Sequence, residues 1–309
     1  NQYSYVNMLV PKVDNFFLMG SKNELVYKKI NENFEEFVDK GVLITDPEPS
    51  LYIYQTTRGK LVQTGIWAVT SIDDYLNNVV KKHELTRADR EQSLINYLQQ
   101  TGIDANPVLI TYIAVPEIDE IISKVCRKKP ELSFVKQDAE HRLWKIDTEA
   151  DVSNLVNAFA KLPVSYIADG HHRAAAASLL GIERRKLNLK HRGDEEYNFF
   201  TSVYMSADQL KIYEFNRLLK DLNGLSASQF IDASSQHFTI EKSREGEAVI
   251  PRELHHFGMY LDGSWYRLVA RRETLKNQHP VAQLDVSILQ DFVLSPILNI
   301  SDPRTDPRL

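Results

Sequence analysis

Residues 164–180, VSYIADGHHRAAAASLL, decide how the rest of the chain is interpreted. Val164–Ala168 is rich in β-branched and aromatic residues and predicts a buried strand. Asp169-Gly170 breaks this run, because glycine tolerates the positive φ that a sharp turn needs. The alanine-rich residues that follow favour a helix, and Gly181 is expected to end it. The stretch therefore predicts a strand that passes through a tight turn directly into a helix.

The first turn of this predicted helix gathers the polar side chains His171, His172 and Arg173. A helix N-terminus offers free N–H groups and the positive end of the helix dipole, and both favour bound anions. We therefore expect a phosphate or carboxylate group to bind there. A simpler interpretation stays open, in which Asp169 caps the helix and Arg173 forms a surface salt bridge.

The composition of the 309 residues excludes several classes of protein. The net charge is −5, whereas proteins that bind nucleic acid usually carry an excess of basic residues, so we expect no nucleic-acid partner. No apolar run approaches the roughly 20 residues that span a bilayer, so no membrane partner is expected. The single cysteine, Cys126, excludes an intrachain disulfide and indicates a reducing compartment such as the cytoplasm. A small-molecule substrate is the partner that we expect, and the sequence leaves the oligomeric state open.

Hydrophobic patterns along the chain predict an α+β protein. The predicted helices are 24–42, 86–100 with Thr86 as its cap, 117–128, 151–160, 218–222, 227–236 with Ser226 as its cap, and 286–294 with Asp285 as its cap. The predicted strands are 51–55, 61–71, 107–115, 142–146, 199–205, 210–215, 239–241, 255–261 and 265–271. Residues 1–18 are expected to form a loop with a short strand, and residues 182–196 a charged connection. The predicted domains are 1–194 and 195–309.

A second group of polar residues precedes the helix predicted at 86–100. Glu84 follows Lys82 and His83, whose positive charges would favour its carboxylate form. Such a carboxylate can act as a general base or bind a divalent cation. The alternative is that these residues form only a polar loop before a capped helix.

Several common motifs are absent from the sequence. It contains no Walker P-loop, no GxGxxG fingerprint, no HExxH and no GxSxG. The adjacent pairs His171-His172 and His255-His256 lack the spacing that places two imidazoles on one helical face. We therefore expect no zinc site built from His171 and His172 alone, and a structural role for His255-His256.

Eight segments, in the same order, resemble domain of unknown function family 1015 over nearly the whole chain. The segments are LYIYQ (51–55), GIWAVTSIDDY (65–75), KHELTR (82–87), ADGHHRAAA (168–176), YEFNRLLKDL (213–222), FGMYLDGSWYRL (257–268), LDVSILQDFVLSPIL (284–298) and DPRTDPR (302–308). The resemblance also suggests that the chain is truncated at both ends.

The DGHHR signature is in turn similar to the DGHxR element of the ParB/sulfiredoxin-like free serine kinases. This similarity implies a ParB/sulfiredoxin-like mixed core in residues 1–194 and a second α+β part in 195–309. It assigns Asp169, Gly170, His171 and Arg173 to an element that binds nucleotide phosphates, and His172 stands where the serine kinases commonly have threonine.

The function that these resemblances imply is a nucleotide- and Mg²⁺-dependent phosphotransferase that acts on a small hydroxyl metabolite. Glu84 and His171 are the predicted catalytic residues, and the mechanism requires them to line one cleft. The cofactors would be ATP or ADP and Mg²⁺, with Asp169 as the metal ligand. His172 is counted with its neighbours in the DGHHR turn as a predicted phosphate-binding residue. The further candidate site residues are Lys82, His83, Asn216 and Arg217, of which the last two have no assigned role.

Two other functions stay open at this stage. One is a nucleotide-binding regulatory module that uses the same turn without catalysis. The other is a metal-dependent hydrolase in which Asp169, His171 and Glu84 are the metal ligands.

Overall fold

The computed structural model describes residues 3–9, 22–84, 86–213, 216–244, 246–277, 279–303 and 305–309. The chain divides into two compact units, Asn1–Ile212 and Tyr213–Leu309. Each unit combines helices with a sheet of its own, so the predicted α+β class is confirmed.

An eight-stranded mixed sheet forms the centre of the first unit. Its strands are β1 (Leu51–Arg58), β2 (Leu61–Ser71), β3 (Val80–Lys81), β4 (Val108–Tyr112), β5 (Leu132–Lys136), β6 (Ala139–Ile146), β7 (Ser165–Asp169) and β8 (Phe199–Ser206). They lie in the order β3-β7-β4-β8-β2-β1-β6-β5. The β3–β7 and β4–β8 pairs are parallel, and the other neighbouring strands are antiparallel.

Seven α-helices of the first unit lie within the described residues. They are α1 (Tyr5–Leu9), α2 (Lys22–Asp39), α3 (Ile72–Leu76), α4 (Ala88–Thr101), α5 (Pro116–Cys126), α6 (Glu149–Ala160) and α7 (His171–Leu187). One core cluster packs α5 and α6 on the sheet, and a second packs α3 and α7. Tyr204 of β8 packs against both clusters, so the two parts of the core are continuous. None of the helices described is long and apolar enough to cross a membrane.

Helix α7 continues past Gly181 to Leu187, so the prediction that this glycine ends the helix is wrong. A Cβ atom at this position would lie 2.5 Å from the Ile72 side chain and 2.5 Å from the backbone oxygen of Tyr197. Gly181 is therefore required by close packing in the middle of the helix. The predicted charged connection at 182–196 is shortened for the same reason, since its first residues extend α7.

The division between the units falls after Ile212, later than the predicted division at 194/195. Strand β8 explains the difference, because it pairs with β2 on one side and with β4 on the other. These pairings make β8 an interior strand of the large sheet and place it in the first unit.

The second unit contains a three-stranded antiparallel sheet and two α-helices within the described residues. The strands are β9 (Phe238–Lys242), β10 (His256–Leu261) and β11 (Ser264–Ala270), in the order β10-β11-β9. Helix α8 (Ala227–Ser234) begins with the predicted cap, Ser226, in a complete capping box with Gln229. Helix α9 (Asp285–Leu289) continues as a π-helix over Gln290–Leu294.

Two predictions at the start of helices in the first unit are wrong. Helix α1 lies within residues 1–18, for which a loop and a short strand were predicted; residues 1–2 and 10–18 lie outside the described part of the chain. Helix α4 begins at Ala88 with Arg87 in the cap position, so Thr86 is not the cap. The Arg87 backbone N–H donates to Nε2 of His172 at 3.0 Å, and this tertiary contact fixes the position of the helix start.

Three predictions in the C-terminal third are also wrong. Residues 218–222 form no helix, because the Lys220 N–H donates to the backbone oxygen of Arg308 at 3.0 Å. Residues 210–213 form no strand with any described segment, and 214–215 lie outside the description. Asp285 does not cap its helix, since its carboxylate accepts the His255 N–H at 2.8 Å. The His255 ring lies 3.2 Å from the same carboxylate, in keeping with a structural role.

Candidate functional site

The parallel pairing of β3 with β7 brings the two polar segments of the sequence to one edge of the sheet. Val80 pairs with Ser165 and Lys81 with Tyr166, so both strands end on the same side. The segments that follow the two strands, which contain Glu84 and the DGHHR turn, therefore lie close together. A cleft of about 710 Å³ opens there. It is lined by Glu84, Asp89, Arg90, Ser93, Leu94, Asp169, Gly170, His171, His172 and Arg173.

This geometry confirms that Glu84 and His171 line one cleft. The Oε2 atom of Glu84 lies 3.5 Å from Nδ1 of His171. The His171 side chain is 3% exposed, whereas the Glu84 side chain is 49% exposed and accessible from the cleft. The pair therefore consists of a buried imidazole at the base and a carboxylate that a ligand can reach.

The turn into α7 depends on Gly170, which is the cap residue of the helix. Its φ is +98°, in the left-handed region that favours glycine. A Cβ atom would also lie 2.9 Å from the Arg173 guanidinium. Because the cap residue has no side chain, no side-chain cap occupies the first N–H groups of α7. Asp169 is thus not the helix cap, but the salt bridge that the same interpretation gave to Arg173 is confirmed, with the Asp169 carboxylate as its partner.

His171 is held in a polar but poorly solvated position. Its Nε2 atom lies 3.5 Å from the His83 backbone N–H, and the two imidazole rings meet edge to face at 4.3 Å. Burial and the nearby His83 charge lower the pKa of His171 from its ordinary value of 6.5, against the smaller opposing effects of Glu84 and Asp169. A neutral ring that accepts the His83 N–H at Nε2 carries its proton on Nδ1, the nitrogen that faces Glu84.

His172 and Lys82 make contacts of different kinds. His172 accepts the Arg87 N–H and so links the N-termini of α4 and α7. Lys82 donates to the Tyr75 backbone oxygen at 3.1 Å, and its ammonium group lies 4.0 Å from the centre of the Tyr75 ring. Lys82 is therefore engaged with α3, and His172 with α4.

The Arg173 side chain connects the start of α7 to its surroundings. Its Nη1 atom donates to the backbone oxygens of Asn106 at 3.2 Å and Pro107 at 2.6 Å. Its Nη2 atom donates to the Asp169 carboxylate. Three acceptors of the chain itself thus hold this guanidinium, which gives Arg173 a positioning role. Its contact with phosphate stays a prediction.

The carboxylates of the cleft can be compared with the requirements of a metal. Among the described residues, no group of three or more His, Cys, Asp or Glu side chains is arranged to hold a metal ion. Mg²⁺ commonly uses one or two carboxylates together with water and phosphate oxygens. The Asp169 side chain, which is 71% exposed, provides one such carboxylate. The donor set fits Mg²⁺ that is shared with phosphates, and it does not fit a metal held by three protein ligands.

Asn216 and Arg217 belong to the second unit. Asn216 is exposed. Arg217 lines a cleft of about 520 Å³ in that unit, together with residues that include His279, Gln290 and Asp291. No role is assigned to either residue by these positions.

The α4 wall of the first cleft is the part that sequence reasoning missed. Asp89, Arg90 and Ser93 all line the cleft, although the sequence indicates only a charged first turn of a helix. Their position follows from the packing of α4 against α7, which includes the contact of the Arg87 N–H with His172 and leaves no pattern in the sequence.

Comparison with known proteins places the chain in a family. Residues 1–287 match the family model described as protein of unknown function (DUF1015). The chain therefore belongs to this family, which is the one that its motifs resemble. Comparisons with curated proteins and with solved structures give no match.

Proposed function

We propose that the cleft is the active site of a nucleotide- and Mg²⁺-dependent phosphotransferase that acts on a small hydroxyl metabolite. The observation that carries this proposal is the 3.5 Å approach of Glu84 to His171 at the uncapped N-terminus of α7. Phosphoryl transfer needs donors around the phosphates and a carboxylate that orients or deprotonates the acceptor hydroxyl. The cleft offers both within one space of suitable size.

We also propose that the first unit has a ParB/sulfiredoxin-like core, in which the DGHHR turn binds the nucleotide. The strand–turn–helix geometry of β7, Gly170 and α7 supports this assignment, because it presents backbone N–H groups to an anion. ATP or ADP would place its phosphates against these groups.

In this mechanism Glu84 accepts the proton of the acceptor hydroxyl. The acceptor oxygen forms a bond to the transferred phosphorus, while the bond from that phosphorus to the bridging oxygen of the nucleotide breaks. His171 positions Glu84 through its Nδ1–H and remains neutral, as its lowered pKa favours. Asp169 would hold Mg²⁺, which neutralises charge on the phosphates when it is bound.

The test compares the wild type with Glu84→Gln. The wild type is incubated with Mg²⁺, ATP or ADP, and a panel of hydroxy amino acids, hydroxy acids and polyols, and phosphate transfer is followed by phosphorus NMR. Loss of the general base should lower turnover by about 10²–10⁴-fold. Nucleotide affinity should change little, because the base acts mainly in the transition state.

The matched control is Glu183→Gln, which removes the same charge from an exposed position on α7 outside the residues that line the cleft. This variant should retain wild-type transfer. Unchanged transfer in Glu84→Gln would exclude Glu84 as the base. A wild type that binds nucleotide but transfers phosphate to no acceptor would instead indicate a regulatory module. Loss of a bound metal in Glu84→Gln would favour the hydrolase.

A further inference from the structure

Arg90 is a cation of the cleft that the sequence did not identify as a site residue. It lies in the first turn of α4 and lines the cleft together with residues of the DGHHR turn. Within the described part of the chain, its guanidinium forms no hydrogen bond and no ion pair. Asp89 and Glu84 line the same cleft, yet neither carboxylate pairs with it.

The other two arginines at this edge are already engaged. Arg173 donates to Asp169 and to two backbone oxygens. Arg87 donates to both carboxylate oxygens of Asp89, at 3.1 and 2.8 Å. Binding an anion through Arg173 or Arg87 would require one of these contacts to break. Arg90 can bind an anion without losing a protein contact.

We propose that Arg90 binds an anionic group of the ligand that occupies the cleft. A guanidinium matches phosphate and carboxylate oxygens with two parallel hydrogen bonds, which are stronger than those between neutral groups. The N-terminus of α4 adds to this preference, because its cap residue Arg87 makes no side-chain cap. The inference rests on the proposed function, and it names the residue that would recognise the charge of a substrate.

Two sources of the anion share this chemistry. The group is either a phosphate of the nucleotide or a carboxylate of the acceptor. If it is a nucleotide phosphate, the loss of Arg90 weakens nucleotide binding before any acceptor is added. If it is an acceptor carboxylate, the loss of Arg90 discriminates between a hydroxy acid and the corresponding alcohol.

The experiment compares the wild type with Arg90→Gln, Arg90→Lys and a control, Arg127→Gln. Arg127 is an exposed arginine at the end of α5, and it is not among the residues that line the cleft. Calorimetry measures the dissociation constants of ATP, inorganic pyrophosphate and glycerate without turnover. Transfer from ATP is then measured with glycerate and with glycerol as acceptors.

We expect Arg90→Gln to weaken binding of ATP and pyrophosphate, or of glycerate, by roughly 10-fold to 100-fold, the range typical of a charge-assisted contact. Arg90→Lys should recover part of the affinity, and Arg127→Gln should match the wild type. Weaker ATP and pyrophosphate binding would identify a nucleotide phosphate. Weaker glycerate binding, with transfer to glycerol retained, would identify an acceptor carboxylate.

The outcomes separate this inference from the proposed function. Wild-type affinities for all three probes in Arg90→Gln would overturn the role of Arg90, even if phosphate transfer is found. A loss of anion binding in Arg90→Gln, in a protein whose wild type transfers no phosphate, would support Arg90 and overturn the phosphotransferase. A wild type that binds none of the three anions would overturn both.

Discussion

Replacing Gly181 with alanine sets two effects of opposite sign against each other. In an exposed helix the change would stabilise the protein, because glycine is about 1 kcal/mol less favourable than alanine in a helix interior. In α7 the new Cβ would lie 2.5 Å from the Ile72 side chain and 2.5 Å from the Tyr197 backbone oxygen. The side chain of Ile72 can rotate, but a backbone oxygen moves only if its segment moves.

The packing effect should be the larger of the two. Forcing extra volume into a well-packed core typically costs about 1–3 kcal/mol, occasionally more. Because one of the two close contacts is with a backbone atom, we expect the cost of the substitution to lie toward the upper end of that range. After subtraction of the gain in helix propensity, we expect Gly181→Ala to lower the free energy of unfolding of the first unit by roughly 1–2 kcal/mol.

Urea unfolding followed by tryptophan fluorescence measures this change in the unit where it occurs. Trp67 and Trp144 lie in the first unit and Trp265 in the second, so a Trp265→Phe background restricts the signal to the first. Ile72→Val removes one of the two contacts, and in combination with Gly181→Ala it should recover part of the loss. A stabilisation of about 1 kcal/mol by Gly181→Ala would refute the close packing and leave helix propensity as the dominant effect.

Two further predictions concern residues of the cleft. The native pKa of His171 lies below its ordinary value of 6.5, so its neutral form contributes stability that is present above that pH and is lost as the pH falls toward the native pKa. Between about pH 7 and pH 5 the unfolding free energy of His171→Asn should therefore fall less steeply than that of the wild type, and equal slopes would contradict burial as the cause. Arg173→Ala should lower the unfolding free energy by roughly 1–2 kcal/mol in urea titrations, because it leaves three acceptors without their donor in a partly exposed position. Wild-type stability in this variant would show that the guanidinium does not hold the start of α7 in place.

Elements with a strong local signal could be predicted from the sequence. Strand β2 has the predicted bounds, and the Asp262-Gly263 hairpin has the two positive φ values that this dipeptide favours. Ser226 caps α8 with Gln229 three residues later, as a capping box requires. In each case the residues that determine the structure lie within one turn or one strand of each other.

Elements that depend on distant partners could not be predicted. Strand β5 is exposed at all five residues and pairs only with β6 at the edge of the sheet, so it carries no pattern of alternating burial. Residues 218–222 resemble a helix, but a backbone bond from Lys220 to Arg308 holds them in another conformation. In the sequence, Gly181 resembles a residue that ends a helix. The structure shows instead that the nearby backbone oxygen of Tyr197 leaves no room for a side chain at this position.

The residues of the candidate site also divide into those that a local motif identifies and those whose position depends on distant contacts. The DGHHR turn could be found from the sequence because its residues are contiguous. Its glycine could also be explained, since a sharp turn of this kind needs the positive φ that glycine tolerates. The roles within the turn could not, since the Asn106 and Pro107 carbonyls that occupy Arg173 come from the residues that precede β4. The DGHHR signature therefore identified the side of the cleft that α7 forms. Only the structure shows that Arg90 of α4 is a cation in the same cleft that is available to a ligand.

The position of Glu84 depends on strand β3, which is too short for its sheet hydrogen bonds alone to hold it in place. Strand β3 contributes only Val80 and Lys81, so few sheet hydrogen bonds fix it against β7. Val80, however, is 2% exposed and belongs to the core cluster that packs α3 and α7 on the sheet. Burial of Val80 and the contact of Lys82 with Tyr75 therefore fix the segment that leads to His83 and Glu84. This anchor places a carboxylate beside His171 while the carboxylate itself stays accessible to a ligand, which is the arrangement that a general base requires.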